Sequence, residues 1–467
     1  MQYPYPDEPT WWNAFRDEVL AKYDEAKEPF NMDGFRWWAR TAYDIAAGLS
    51  PDSSKMKHLA ELDEELGSTP TPIPGVHPFP LVGQLRYGNN CYQDDAGPVN
   101  PVMVHSGDLI GQGLVYGVAR ITPILDQFVA AGYHGVRSWI NVDAKPDNPF
   151  WSTKPAPRWN LLDNKQLFVE ILQEGAKRNL RWHLASGGLD GLSNERENEM
   201  FDFLAEAIGI VGPQYFALIE TCNEVRDTGD PDDKEPSELE RLIQRVRNHH
   251  PSLLYSLSAY TGTEDREILS SYTPSFGSHY YLHGYRGGHY WDKIRHIFSN
   301  GYEALTGDPK LKYLGWQGEP FGPGRLVSAT DNKHELNKDV MVLAAAMSVM
   351  ARNTWTYMSG PGVIAYDEPF ASMAGFNETP IVIQSLPRDL MTFRTLSHSG
   401  ENKRGTRIHV AEGEVRADYA IHDDGRYVEI TYGPFEQNMN LRQERPTTSV
   451  VRVFDSPYGK IEIGRLA

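Results

Sequence analysis

Between about residues 100 and 360, short apolar runs alternate with longer stretches in which apolar residues recur three and four positions apart. The runs at 102–106, 135–142, 180–185, 216–222, 253–260, 276–281, 312–315 and 354–358 are nearly continuous in Val, Ile, Leu and aromatic residues. That is the form of strands buried on both faces. The intervening stretches have helical spacing. Residues 117–131 place Val118, Ile121, Leu125, Phe128 and Val129 on one face, and similar patterns cover 164–178, 196–210, 237–248, 291–298 and 335–352. Ser237 followed by Glu240 reads as a capping box. Eight strands separated by helices predict an α/β chain folded as a (β/α)8 TIM barrel.

The flanks follow other patterns. Residues 10–66 carry helical spacing without strand alternation, with Trp11, Phe15, Val19 and Leu20 on one face, and Pro70, Pro72 and Pro74 stiffen a connector. Residues 79–98 read as a β-hairpin ahead of the first long strand. After about residue 375 the helical period gives way to short β-rich segments at 405–410, 414–421, 427–432 and 449–454. The predicted organisation is a helical N-terminal extension with its connector over 1–77, a catalytic barrel over 78–372, and a C-terminal antiparallel β-sandwich-like domain over 373–467. The last is expected to pack on the barrel as an accessory module, because no long flexible linker precedes it.

Composition narrows the partners. The 467 residues carry a formal charge of −18, which disfavours nucleic acid and anionic membrane surfaces and suits a neutral substrate. No apolar run reaches membrane-span length and the N-terminus has no signal-peptide pattern, so the expectation is a cytoplasmic protein, or one released or virion-associated by a route this sequence does not encode. The two cysteines, Cys91 and Cys222, cannot form a disulfide framework and read as small buried fillers. Eleven Trp and 24 Tyr suit the flat faces of sugars as well as an aromatic core.

In such a barrel the chemistry sits at the carboxyl ends of the strands. The polar and aromatic residues that end or follow the apolar runs include Arg137 and Trp139, His183, Asn223 and Glu224, His279 and Tyr281, Trp316 and Glu319, and Trp355. Two of them are carboxylates delivered from separate strands: Glu224 after Phe216-Ala217-Leu218-Ile219-Glu220, and Glu319 in Trp316-Gln317-Gly318-Glu319-Pro320. A pair of carboxylates is the minimum equipment for glycoside cleavage, and a separation of about 5–5.5 Å gives retention of configuration. His279, His283 and His289 match no metal-ligand spacing, and no glycine-centred ligand loop accompanies the acidic stretch Asp227 to Asp233, so neither a metal nor another cofactor is expected. Gly111, Gly113 and Gly117 hint at a dinucleotide-binding turn, and a non-catalytic glycan-binding barrel, such as an adhesion module, is the other alternative.

Taken in order, the hairpin at 80–98, Arg137 in Val136-Arg137-Ser138-Trp139, Asn223-Glu224, His279-Tyr280-Tyr281, Gly318-Glu319 and Trp355 resemble the clan A glycoside hydrolases, closest in layout to the cellulase-like family 5. The resemblance spans roughly residues 78–372; Val225 stands where that family usually has proline. It implies a retaining glycosidase acting on β-linked oligo- or polysaccharides, with Glu319 as nucleophile and Glu224 as acid/base. It further implies that Arg137 keeps Glu319 ionised, that Asn223 binds the sugar 2-hydroxyl, that His279 lies near the acid/base and Tyr281 near the nucleophile, and that Trp355 forms the floor under the reacting sugar. His183 and Trp316 complete the expected substrate-binding set.

Overall fold

The computed structural model of the chain describes residues 77–89, 91–142, 159–187, 189, 192–222, 236–258, 276–279, 316–317, 338–350, 353–358, 373–397, 416–432 and 447–466. Residues 72–365 and 370–467 belong to one compact unit. The N-terminal helical expectation over 10–66 lies outside the described residues, as does the helix expected at 291–298.

The chain enters through a three-stranded antiparallel ribbon, β1 Arg86–Gly88, β2 Cys91–Asp94 and β3 Gly97–Pro98. Asn89 turns the first hairpin at φ 52°, a left-handed conformation that asparagine tolerates better than most residues. The alternating part follows: β4 Val102–His105, helices α1 Leu109–Tyr116 and α2 Val118–Ala131, β5 Gly135–Trp139, a short antiparallel pair formed by β6 Asn141–Val142 and β7 Trp159–Asn160, α3 Lys165–Lys177, β8 Arg181–Ala185, α4 Asn194–Val211, β9 Phe216–Glu220, α5 Pro236–Arg247, β10 Tyr255–Ser258, β11 Phe276–His279, β12 Trp316–Gln317, α6 Lys338–Met350 and β13 Trp355–Met358.

Local chemistry sets these boundaries. The Asn164 side chain accepts from the Leu167 amide to open α3, and Ser193 accepts from Arg196 to open α4, whose first turn carries Glu195 and Glu197 against the positive end of the helix dipole. Gly132 ends α2 at φ 95°, its amide reaching the Phe128 and Val129 carbonyls. Helix α5 starts at Pro236, so Ser237 lies in its first turn rather than at the cap; proline suits a first helical position because its missing N–H would have no intrahelical partner there.

Strands β4, β5, β8, β9, β10, β11, β12 and β13 form one sheet in which every described pairing is parallel. Its order follows the chain, and β13 returns to pair beside β4, with Trp355 opposite Val102 and Met358 opposite His105. That return curls the sheet back on itself, and β12 and β13 approach within 8 Å. Eight parallel strands in chain order, with the last beside the first, are the topology of a (β/α)8 barrel.

Two glycines of the dinucleotide alternative, Gly111 and Gly113, lie inside α1, and Gly117 stands between α1 and α2 at φ 86°. A Cβ on Gly111 would fall 2.4 Å from the Trp159 ring, and one on Gly113 would fall 2.6 Å from Ile171. These residues are small so that helix, β7 and α3 can close on one another. A buried helix face is not a phosphate-cradling turn, so Gly111 and Gly113 lend that alternative no support.

Past the barrel, α7 Glu378–Ser385 and a 3-10 turn at Leu390–Thr392 precede β14 Arg394–Ser397, β15 Arg416–Ile421, β16 Arg426–Tyr432, β17 Thr447–Ser456 and β18 Gly459–Leu466. The strands make a five-stranded antiparallel sheet in the order β14-β15-β16-β18-β17. Antiparallel β-structure is thus present as expected, as one sheet among the described residues, while α7 stands where no helical period was read. Helix α6 explains how the sheet is held. Its residues Met341 to Met347 are buried all round, because it touches β13 on the barrel side and β16 and β18 on the other. Polar stitches reinforce the junction: the Tyr133 hydroxyl donates to the Phe376 carbonyl, and Asn100 exchanges bonds with Pro387 and Gln384. No described helix is long and apolar enough to cross a membrane.

Candidate active site

Three neighbouring strands build the site from their register. Met103, Gly135 and Arg181 are aligned across β4, β5 and β8, and two residues further on His105, Arg137 and His183 are aligned. Register partners in a parallel sheet share a face, so these form two successive layers on one side of the sheet.

The lower layer closes the N-terminal end. Arg181 is buried, and its guanidinium donates to the Leu81 and Gly83 carbonyls at 3.1 and 2.8 Å and to the Asn179 carbonyl and side-chain oxygen at 2.9 and 2.6 Å. Burial, opposed only weakly by Tyr215 and Asp94, brings its pKa down to about 10. Nearby, His77 and His134 stack with ring centres 6.0 Å apart, and His134 Nδ1 accepts from the Val102 amide. Burial pushes the His134 imidazole down to about 3, with His77 and Arg181 adding to the effect.

The upper layer is different in kind. The Nε–Nη2 edge of Arg137 faces both oxygens of Glu220, at 3.2 Å each, and Nη1 lies 3.1 Å from His105 Nδ1. His183 Nε2 is 2.7 Å from Glu220 Oε2. All four side chains are buried. Burial alone would raise the Glu220 carboxyl, but the Arg137 charge and the bonds from His183 and Arg137 outweigh it and hold the group below the ordinary carboxylate range. Trp139 packs edge-on against His105 at 5.8 Å. The following loop is pinned to β5: Trp139 N–H and Ser138 Oγ both donate to the Gly107 carbonyl, and Ser138 Oγ accepts from Ile110 N–H. Asp108, in this loop, is also buried.

Of the expected site residues, Arg137 and His183 are brought together, through Glu220 as their common partner. Trp355 is not brought to this cluster. It is the first residue of β13, opposite Val102, three positions before the residue level with His105, and it shares the parity of Tyr357, whose ring packs on Tyr133 and Phe376. That parity belongs to the face opposite His105, so Trp355 does not form a floor at this layer. His279 closes β11 opposite Gln317, and Trp316 opens β12 opposite Ser278. Asn223, Glu224, Tyr281 and Glu319 lie outside the described residues. Among the described residues no group of three or more His, Cys, Asp or Glu side chains is placed to hold a metal ion.

His105 and Glu220 are the residues that sequence reasoning passed over. Both end an apolar run, Val-Met-Val-His and Phe-Ala-Leu-Ile-Glu, which is the signal used for the other strands. Chemically, the ionised Glu220 carboxylate accepts from three donors and has no proton to give. In the sequence Glu224 follows β9 by four residues and Glu319 follows β12 by two.

No known family matches the sequence, and no curated protein is similar to it. Among solved structures the chain is similar to one described as "Glycoside hydrolase", at 12% identity and a TM-score of 0.53, covering 82% of this chain and 97% of that one. It also aligns with an Anoxybacillus alpha-amylase, at 8% identity, 79% and 98% coverage and a TM-score of 0.49. A GH27 β-L-arabinopyranosidase from Geobacillus stearothermophilus aligns at 9% identity, 83% and 97% coverage and a TM-score of 0.44. At 12% identity the first likeness is one of fold, and together with the strand order it establishes a barrel of the kind that glycoside hydrolases use.

Proposed function

We propose that the protein is a retaining glycoside hydrolase of the clan A type, acting on β-linked oligo- or polysaccharides, with layout nearest the cellulase-like family 5. One observation carries the reading. The apolar strands β9 and β12 lie in one parallel sheet, and Asn223-Glu224 and Gly318-Glu319 follow their carboxyl ends, where barrel enzymes place their chemistry. The fold shared with a glycoside hydrolase supports it.

In this mechanism Glu319 attacks the anomeric carbon as the glycosidic C–O bond breaks, and Glu224 gives its proton to the departing oxygen. The Glu224 carboxylate then removes a proton from water, whose oxygen displaces Glu319 from the sugar. Neither step draws on a metal or a cofactor. Arg137 and His183, tied through Glu220, provide a rigid wall for the substrate, and Asn223 holds the 2-hydroxyl.

A screen of aryl glycosides and glycans, with proton NMR of the first-formed anomer, tests the proposal. The expected result is hydrolysis with retained configuration, abolished in Glu319→Gln while binding persists. First formation of the inverted anomer would remove the covalent step, and binding without hydrolysis of any glycan would favour a carbohydrate-binding barrel.

A further inference from the structure

The proton positions in the buried cluster follow from which groups are able to donate. An arginine guanidinium has donors and no acceptor. The contact of Arg137 Nη1 with His105 Nδ1 at 3.1 Å therefore requires a lone pair on Nδ1, which puts the His105 proton on Nε2. Glu220 is ionised under the Arg137 charge, despite burial, and can only accept. The 2.7 Å contact with His183 Nε2 therefore requires a proton on that nitrogen.

One carboxylate thus orders two rings on two other strands. We propose that Glu220 is the positioning residue of the catalytic end. By taking one edge of Arg137 and Nε2 of His183 on its two oxygens, it fixes the orientation of both rings, holds a proton on His183 Nε2 and, through Arg137, keeps the His105 proton on Nε2.

The backbone of Glu220 is anchored as firmly as its side chain. It pairs with Ala185 on β8 and Ser256 on β10, and Thr221 N–H donates to the Ser256 carbonyl. Asn223 and Glu224 follow three and four residues later. The consequence for turnover rests on the glycosidase reading; the consequence for the two imidazoles does not. Glu220 is not itself a catalytic residue, because it is buried and both of its oxygens are taken.

The test uses the full chain labelled with [15N]histidine and long-range proton–nitrogen NMR, with His105→Gln and His183→Gln identifying the two ring systems. In the wild type His105 should show an unprotonated Nδ1 and a protonated Nε2, and His183 a protonated Nε2. In Glu220→Gln the His183 nitrogens should move toward averaged positions, and kcat on the best glycan should fall by about 100-fold with KM within about threefold, the cost of misplacing reacting groups by about 1 Å. A purely structural role would lower the melting temperature without this change in ring signals. A proton on His105 Nδ1, or an unprotonated His183 Nε2, in the wild type would overturn the proposal, and this holds even if Glu220→Gln fails to fold. So would a folded Glu220→Gln with unchanged tautomers and turnover. A wild type with the expected ring signals and no activity on any glycan would sustain the lock and remove the glycosidase reading instead.

Discussion

Arg181 at the N-terminal end of β8 and Arg137 one layer nearer the C-terminal ends are both buried on one face of neighbouring strands, yet they are satisfied in opposite ways. Arg181 is met by backbone carbonyls and an amide oxygen, with no carboxylate within bonding distance among its described partners. Arg137 is met by an ionised carboxylate and a histidine. Neutral acceptors anchor an end that only has to stay closed. A charged acceptor shared with two imidazoles fixes ring orientations and proton positions, which matter where protons are transferred. The lower layer is thus held by neutral acceptors, and the upper one by a charged, proton-bearing network.

Variants at the two ends should accordingly separate activity from stability. The largest effect is expected from Glu224→Gln and Glu319→Gln, which should each lower turnover by about 1000-fold or more while leaving the thermal midpoint nearly unchanged. Arg181→Met should do the reverse. It leaves the Leu81 and Gly83 carbonyls without their donor and should destabilise by about 2–3 kcal/mol in urea unfolding, with kcat/KM within about twofold of wild type. A tenfold loss of activity in Arg181→Met at full folding would break the separation.

Acid should reach the lower end first. The His134 pKa is depressed from 6.5 to about 3, so the unfolded chain binds the proton more readily, and stability falls as pH drops below 6.5. At one pKa unit per 1.36 kcal/mol, the loss is about 2 kcal/mol by pH 5. The depressed Glu220 carboxyl has the same sign of dependence over a lower window: its contribution is fully present above 4.5 and is lost as pH falls through the depressed value. Urea titrations at pH 7, 6 and 5 should show the early loss in wild type and a flatter response in His134→Asn, which keeps an acceptor for the Val102 amide. Equal slopes in the two proteins would assign the acid sensitivity to other groups. A smaller effect is expected from Gly111→Ala, about 1–2 kcal/mol in thermal unfolding, from a methyl group forced against Trp159. Unchanged stability there would mean that α1 has room to move away.

Much of this was legible in the sequence, because buried parallel strands are short apolar runs and the helices between them are amphipathic. The same double-sided burial hid the faces. The run Thr354-Trp355-Thr356-Tyr357 alternates threonine with aromatic rings, but both sets are buried, and only the pairing with β4 places Trp355 on the face opposite His105. Helix α1 was disguised by Gly111 and Gly113, which are poor helix formers chosen for close packing. Helix α7 is eight residues long, with too few turns to establish a period. Glu220 was overshadowed by the Asn-Glu pair that follows it, although a lone charge ending an apolar run is itself a signal of a buried partner.

The account stands or falls on whether the C-terminal end of the barrel is catalytic. Its most direct test is the hydrolysis of a glycan panel by wild type, Glu319→Gln and Arg181→Met side by side, with the first-formed anomer read by proton NMR. The account predicts retained configuration in wild type, no turnover in folded Glu319→Gln, and near wild-type turnover in Arg181→Met. Hydrolysis that survives Glu319→Gln, or that is lost with Arg181 alone in a folded protein, would contradict it.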